Sequence, residues 1–247
     1  MAEFPLAIVT GGAHRLGRAF ALTLAYEGYA VLVHYHRSSQ HAAKTISEIK
    51  TFEVPAFSMQ ADLSQAEHIE ALFTLVDSLL SRPETRLSHL AVLVNSAAVM
   101  PRGGAQSLPL EMWDMALDLN LRAPFLCAQQ ASRRMTRGGL IVNVSDIGAE
   151  KAWSRFPSYT ISKSALDSLT RVLARSFAPA VRVNAIAPGL VLPSENVTEA
   201  EWNKLVDRLP LKRTATTEEV TSTLEFLLKN EYVTGQTIVV DGGYSLI

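Results

Sequence analysis

Seven short apolar runs recur along the chain: Leu6–Thr10, Ala30–Tyr35, Val54–Met59, Leu90–Asn95, Leu140–Val144, Val181–Ile186 and Ile238–Val240. Segments of helical length and period separate them. A strand with one wet face alternates apolar and polar residues; these runs, rich in Val, Ile and Leu, do not alternate, so both of their faces must be covered. Strands covered on both faces and spaced by helices build a parallel, doubly wound sheet. The rhythm therefore predicts an α/β fold, a doubly wound parallel sheet of about seven strands with helices on both faces. No linker, low-complexity tract or internal repeat interrupts it, which makes residues 1–247 a single domain. Capping boxes, Ser64-Gln-Ala-Glu67 and Thr216-Thr-Glu-Glu219, mark two helix starts. The longest irregular stretch runs from Pro188 to about Thr198, and a mobile substrate lid is expected over residues 188–210.

Composition narrows the class of partner. Of 247 residues 48% are hydrophobic, enough to bury such a sheet, and the formal net charge is -1. With no Lys/Arg run, nucleic acid and anionic membrane are excluded as main partners. The single cysteine, Cys127, lies in the apolar run Pro124-Phe-Leu-Cys-Ala128 and reads as a small buried hydrophobe. No segment approaches the uninterrupted apolar length of a membrane span, and the N-terminus lacks a basic region followed by a long apolar stretch. A soluble protein of a reducing, cytoplasmic compartment is expected.

The first run passes directly into a glycine loop, Leu6-Ala-Ile-Val-Thr-Gly-Gly-Ala-His-Arg-Leu-Gly17, with a helix beginning near Leu16. Glycines allow the backbone to approach a pyrophosphate closely, and a helix N-terminus supplies N–H donors and positive potential. The second strand ends in His34-Tyr-His-Arg-Ser38, with no carboxylate from Val31 to Gln40. An acidic residue there would bind the ribose 2′-hydroxyl of NAD and repel the 2′-phosphate of NADP. Arg37 instead offers a donor fork matched to phosphate and Ser38 a hydroxyl, with Arg15 within reach from the loop, so NADP is the expected cofactor. His34 and His36 share one side of the strand, but no further ligands cluster with them, and no metal site is expected.

Further along, Tyr159 and Lys163 are spaced by four, on one face of a helix, with Asp146 upstream. A free Tyr, with a pKa near about 10, is a poor acid at neutral pH. A neighbouring ammonium favours the phenolate, so Lys163 is expected to depress the Tyr159 pKa and make it a usable proton donor. Neighbours in extended chain point to opposite faces, so Ser145 and Asp146 should not share a site unless the chain twists there.

With these residues in view, the chain resembles the short-chain dehydrogenase/reductases over nearly its whole length. Thr10-Gly11 to Gly17 resembles the cofactor loop, Asp62-Leu63 the adenine-contacting pair, and Asn95-Ser-Ala-Ala98 the family's Asn-Asn-Ala-Gly with two positions changed. Asn120 matches the Asn that holds a proton-relay water. Tyr159 and Lys163 match the catalytic pair, Pro188-Gly189 follows the sixth strand, and Val239-Val-Asp-Gly-Gly243 resembles the C-terminal strand and turn. The resemblance implies a Rossmann fold, cofactor contacts from Gly11, Arg15, Leu16, Gly17, His36, Arg37, Ser38, Asp62, Leu63, Asn95, Ala97, Tyr159, Lys163, Pro188 and Gly189, and a homotetramer.

Arg15 and Asp146 stand where the family usually has Gly and the catalytic Ser. Together with residues 34–38, these departures resemble pteridine reductases and dihydromonapterin reductases. The resemblance implies that Arg15 faces both cofactor phosphate and pterin, and that Asp146 and Tyr159 manage substrate protons, with Asn120 in the relay. The chemistry agrees: a carboxylate repels a carbonyl's developing oxyanion, whereas reducing a pterin C=N bond requires protonation of a ring nitrogen. Met100 stands where those reductases present a stacking aromatic; it packs on a ring more weakly. Trp153 and Phe156 either add aromatic area or, as expected, pack their loop down. An NADPH-dependent pteridine reductase is therefore the leading expectation. The alternatives are an NADPH-dependent carbonyl or 3-oxoacyl reductase using Ser145 or no serine, and a non-catalytic NADP-binding regulatory protein.

Overall fold

The structure, a computed structural model, describes residues 3–194 and 197–247. Its strands are β1 (Phe4–Thr10), β2 (Ala30–Tyr35), β3 (Ala56–Gln60), β4 (Leu87–Asn95), β5 (Gly139–Val144), β6 (Val181–Pro188) and β7 (Thr237–Val240). All pair in parallel within one sheet, in the order β3-β2-β1-β4-β5-β6-β7. Each apolar run of the sequence thus becomes a strand, with boundaries shifted by at most three residues. The helices are α1 (Arg15–Tyr26), α2 (Ser39–Lys50), α3 (Ala66–Leu80), α4 (Leu110–Leu117), α5 (Ala123–Ser132), α6 (Pro157–Phe177), α7 (Glu199–Arg208) and α8 (Thr217–Lys229).

Neighbouring strand residues point to opposite faces, so β1 feeds two cores. Leu6 and Ile8 pack with Phe73 of α3, Cys127 of α5 and Leu173 of α6. Ala7 and Val9 pack with Phe20 of α1, Ile49 of α2 and Leu224 of α8. Each large side chain so buried contributes about 1.5–3 kcal/mol. Two layers of helix therefore hold the sheet from both sides, leaving its carboxyl edge free. The strand order reverses between β1 and β4, whose last residues, Thr10 and Asn95, are in register. The loops leaving these strands part there and open a crevice. Among the described residues no helix is long and apolar enough to cross a membrane.

The helix starts required one correction. Thr216 and Glu219 form the expected capping box of α8. Ser64 does not cap α3, which starts after Gln65 without a side-chain cap. Its hydroxyl donates to Asp62 Oδ1 at 2.8 Å, in a turn where the same oxygen accepts the Ser64 N–H at 3.0 Å. A further box, Thr198 with Glu201, starts α7. The expected lid at 188–210 comprises the end of β6, a loop and α7; Glu195 and Asn196, within it, lie outside the described residues.

Gly17 faces the tightest backbone approach in the crevice. A Cβ there would lie 2.2 Å from the Gly11 carbonyl oxygen, and neither backbone can yield without moving the loop. Gly17→Ala should lower the urea-unfolding free energy by at least about 2 kcal/mol, the scale of overpacking a rigid site. Gly104→Ala, where the nearest atom is Ser107 Oγ at 3.6 Å, should leave it unchanged. Equal stability of the two variants would contradict this.

Candidate active site

The crevice holds a cleft of about 690 Å³. The glycine loop and the start of α1 form its floor; His36, Arg37, Ser38, Asp62 and Leu63 close one end. The other end is formed by residues 96–99, Met115, Leu119, residues 144–146, Tyr159, Lys163 and Pro188, so Ser145 and Asp146 both reach the cleft, against the expectation from strand alternation, because β5 ends at Val144.

Three loops are locked together beneath the cleft. Thr10 Oγ1 accepts the N–H groups of Ser96 at 3.0 Å and Ala97 at 3.1 Å. Gly11 has φ +64, and a Cβ there would lie 2.9 Å from Ala97 Cα, so only glycine permits this approach. The Gly11 N–H donates to His34 Nδ1 at 3.1 Å; Nε2 must then carry the proton, which it donates to the Ala61 carbonyl at 3.0 Å. His34 is thereby held neutral: burial, and secondarily the neighbouring His36, lower its pKa to about 4 against the pull of the Ala61 carbonyl and Asp62. Both ring nitrogens serve protein partners, and sequence reasoning had missed this role.

The donor set suits a phosphorylated dinucleotide. α1 begins with no capping side chain and no acidic residue in its first turn, leaving its N–H groups to a ligand. Arg37 is exposed on the cleft rim and makes no ion pair among the described residues. Arg15 sits at φ +53, a conformation that costs a non-glycine residue about 1–2 kcal/mol. Its guanidinium, expected to face phosphate and pterin, instead donates to the Pro193 and Leu192 carbonyls, each at 2.9 Å. Arg15 thus holds the loop after β6 beside the glycine loop.

At the other end, Asp146 leaves β5 in extended conformation and caps a single 3-10 turn, Ile147–Ala149. Its Oδ1 accepts the Gly148 N–H at 2.6 Å and its Oδ2 accepts the Tyr159 O–H at 2.8 Å. The turn-capping role and the contact with Tyr159 are one geometry, since fixing one oxygen aims the other. Lys163 Nζ donates to the Val144 carbonyl at 2.6 Å and lies 5.8 Å from the Tyr159 ring centroid.

Burial raises the Asp146 pKa above the usual carboxylate range, against the Gly148 N–H, the Tyr159 hydroxyl and Lys163. The expectation that Lys163 depresses the Tyr159 pKa is corrected: burial first, then the charge and hydrogen bond of Asp146, raise it well above 10.0. Tyr159 is therefore held protonated, its hydroxyl donating to Asp146. Lys163 is pulled down to about 8 by burial, opposed by Asp146 and Asp167.

Other expected residues fall elsewhere. Asn95 is buried and off the cleft; its Nδ2 donates to Asn143 Oδ1 at 2.9 Å, stitching β4 to β5. Asn120 lies in a π-helical turn, Asp118–Arg122, where it exchanges hydrogen bonds with the Val99 backbone at 2.9 and 2.8 Å and donates to Ser162 Oγ at 3.0 Å. Both its side-chain N–H donors are used, so its amide positions the wall at Val99. Gly189 packs against Asp241 and lies off the lining, whereas Pro188 is on it. Met100 is 44% exposed and also off the lining; Met115 of α4 and Leu119 of the following π-helical turn supply the apolar wall, unforeseen because these residues reach the cleft only through tertiary packing. Trp153 covers Gly148 and stacks toward Phe156 and Tyr244, packing its loop as expected.

A glycine-floored cleft at the strand-order reversal of a parallel sheet, with a Tyr-Lys pair at one end, defines a nucleotide-dependent oxidoreductase architecture. The chain belongs to the short-chain dehydrogenase/reductase family: the family model described as Enoyl-(Acyl carrier protein) reductase matches residues 11–245. It is 32% identical over 244 residues to 3-oxoacyl-[acyl-carrier-protein] reductase FabG of Staphylococcus aureus, covering 96% of each chain. It is 34% identical over 253 residues to 1-cyclohexenylcarbonyl-CoA reductase of Streptomyces collinus, covering 98% of this chain and 87% of that one. Its fold matches the crystal structure of FolM Alternative dihydrofolate reductase 1 from Brucella canis complexed with NADP, at TM-score 0.91 and 33% identity, over 100% of this chain and 96% of the other.

The His34 clamp makes stability pH-dependent. The pKa is 6.5 for an ordinary His and about 4 when folded, so between these values the unfolded chain binds more protons. The contribution is fully present above pH 6.5 and is lost as pH falls toward about 4, about 3 kcal/mol in all. His34→Phe, which leaves the Gly11 N–H and Ala61 carbonyl unpaired, should cost about 1–3 kcal/mol per group at neutral pH. Urea titrations at falling pH should show the gap to wild type narrowing; a constant gap would refute the clamp.

Proposed function

We propose that the protein is an NADPH-dependent reductase of a pteridine C=N bond. The observation that carries this reading is the Asp146–Tyr159 hydrogen bond, at 2.8 Å, with the second carboxylate oxygen fixed by Gly148. A carbonyl substrate needs neutral or positive donors around its developing oxyanion, and a carboxylate beside Tyr159 opposes that charge. A ring nitrogen that must take up a proton is served by a phenol paired with a buried carboxyl whose proton affinity is raised.

Residues that would hold NADPH are the α1 N-terminus with Gly11, Leu16 and Gly17, Arg37 with His36 and Ser38 toward the 2′-phosphate, Asp62 and Leu63 toward the adenine, and Lys163 and Tyr159 toward the nicotinamide ribose. NADPH, when bound, supplies the hydride. Tyr159 Oη gives its proton to the substrate nitrogen and takes the proton of Asp146, whose pKa burial raises, so that a single negative charge is left on the Tyr159–Asp146 pair for Lys163 to stabilise. The wall at Met115, Leu119 and Val99 excludes water from a flat ring. Arg15 joins Leu192 and Pro193, at the start of the expected lid, to the floor. Likeness to a dihydrofolate reductase crystallised with NADP supports both cofactor and substrate class.

The reading extends to a cytoplasmic homotetramer. Leu110, Phe125, Ile161 and Val172 expose apolar surface on α4, α5 and α6, which supports assembly of copies through these helices, and light scattering reads it directly. The second reading, a 3-oxoacyl reductase, is favoured by the likeness to FabG.

One substitution separates the two. Asp146→Ser should lower kcat/KM for a dihydropterin by about 100-fold or more while leaving carbonyl turnover equal or improved. Tyr159→Phe should abolish both and spare NADPH binding. Retained pterin turnover in Asp146→Ser would remove the assignment. For the cofactor, Arg37→Ala should raise the NADPH Kd about 10-fold or more and the NADH Kd hardly at all. Equal changes in the two constants would contradict a 2′-phosphate role.

A further inference from the structure

The turn that Asp146 caps has a second contact, on its outer side. A Cβ on Gly148 would lie 2.9 Å from Asp146 Oδ1 and 2.7 Å from Trp153 Cζ3, so the Gly148 backbone is clasped between carboxyl and indole. Trp153 also reaches the other half of the pair. Its carbonyl accepts the Phe156 N–H at 2.9 Å, and the two rings meet edge-on with centroids 6.4 Å apart. Phe156 is the N-cap of α6, the helix that carries Tyr159 in its first turn. One indole thus touches the support of each member of the proton-donating pair, without lining the cleft.

The indole is itself braced. The Tyr244 ring lies 6.5 Å from it between centroids, tilted by 39°. Tyr244 opens the 3-10 turn Tyr244–Leu246 after β7 and is buried with Ile147 and Leu209, and Trp153 and Leu190 pack against that cluster. Asp241 fixes the turn by accepting the Gly243 N–H at 2.9 Å and the Ser245 N–H at 2.6 Å. The Lys151 ammonium donates to the Ile247 carbonyl and lies 5.3 Å from the Tyr244 ring centroid. Ile147, Leu209 and Tyr244 belong to neither of the two large cores on the faces of the sheet. What this small cluster holds is the turn at Asp146.

We infer that Trp153, buttressed by Tyr244, is a positioning residue for proton transfer: it fixes the Gly148 turn and the start of α6 together, and with them the separation of Asp146 Oδ2 and Tyr159 Oη. Transfer along that hydrogen bond needs its 2.8 Å geometry. A turn freed from the indole would rotate and swing Oδ2 away from Tyr159 while leaving both groups in the site. The cofactor end is held separately, since Thr10 and His34 secure the glycine loop.

The inference rests on Asp146 and Tyr159 being the proton-donating pair, and one arm of its test needs no substrate. Trp153→Leu, Trp153→Phe and Tyr244→Leu would be compared with wild type, with thermal melts as a check of folding. Trp153→Leu should lower kcat for the best dihydropterin about 10-fold or more and leave the NADPH Kd within about twofold. It should also raise the solvent deuterium isotope effect on kcat, because proton transfer becomes the slow step. A mere loss of active molecules would leave that effect unchanged. Trp153→Phe, which keeps a ring against Gly148, should recover most of kcat, and Tyr244→Leu should repeat the Trp153→Leu pattern more weakly. In a crystal structure of ligand-free Trp153→Leu, Asp146 Oδ2 should stand beyond hydrogen-bond distance of Tyr159 Oη. An unmoved hydrogen bond or an unchanged isotope effect in folded Trp153→Leu overturns the inference; should that variant fail to fold, the same two readings of Tyr244→Leu decide. A displaced pair in a protein whose wild type reduces no dihydropterin supports the positioning role and overturns the pterin reading alone.

Discussion

An ammonium buried at the carboxyl edge of a parallel sheet is the constraint around which this molecule is arranged. Lys163 reaches the edge because α6 packs under β5 and β6, and it is met there by the Val144 carbonyl. Taking such a group out of water is costly, so negative charge must gather near it. Asp146 at the end of β5 and Asp167 one helical turn on along α6 both oppose the lowering of its pKa by burial. Asp146 in turn is held by the Gly148 N–H, which aims its second oxygen at Tyr159. In the function proposed above, substrate chemistry follows from how one buried charge is compensated.

The other end of the cleft obeys a different logic. There, neutral groups fix the backbone so that charged ones remain free for a ligand. Thr10 binds the β4 loop, His34 binds the glycine loop to the end of β3, and Gly11 permits the close approach to Ala97. None of these contacts spends Arg37 or the α1 N–H groups. A phosphorylated dinucleotide would meet a rigid floor with its donors already in place.

Much of the fold was legible because a doubly wound sheet requires the same local signal seven times. Runs such as Ala30–Tyr35 and Leu140–Val144 carry no alternation, and their burial on both faces follows. Ser64 misled because its hydroxyl, which a capping box would turn toward the helix, is claimed by Asp62 two residues upstream. At the site, the spacing of Tyr159 and Lys163 and the absence of a carboxylate near Arg37 were readable directly. What each polar group binds was not. Asn95 and Asn120 look like ligand-binding amides, but their partners, Asn143 and the Val99 backbone, arrive from distant strands and loops. Nor could the sequence show that Arg15 grips Leu192 and Pro193, or that burial with Asp146 reverses the expected direction of the Tyr159 pKa.

The central claim is that a carboxylate beside Tyr159 sets the kind of double bond reduced. It is tested most directly on the unaltered protein, by following NADPH oxidation with dihydropterins, dihydrofolate, simple ketones and a 3-oxoacyl thioester. The account predicts kcat/KM values for at least one dihydropterin or dihydrofolate about 100-fold or more above every carbonyl substrate. A ketone or 3-oxoacyl thioester turned over as well as the best pterin would contradict it.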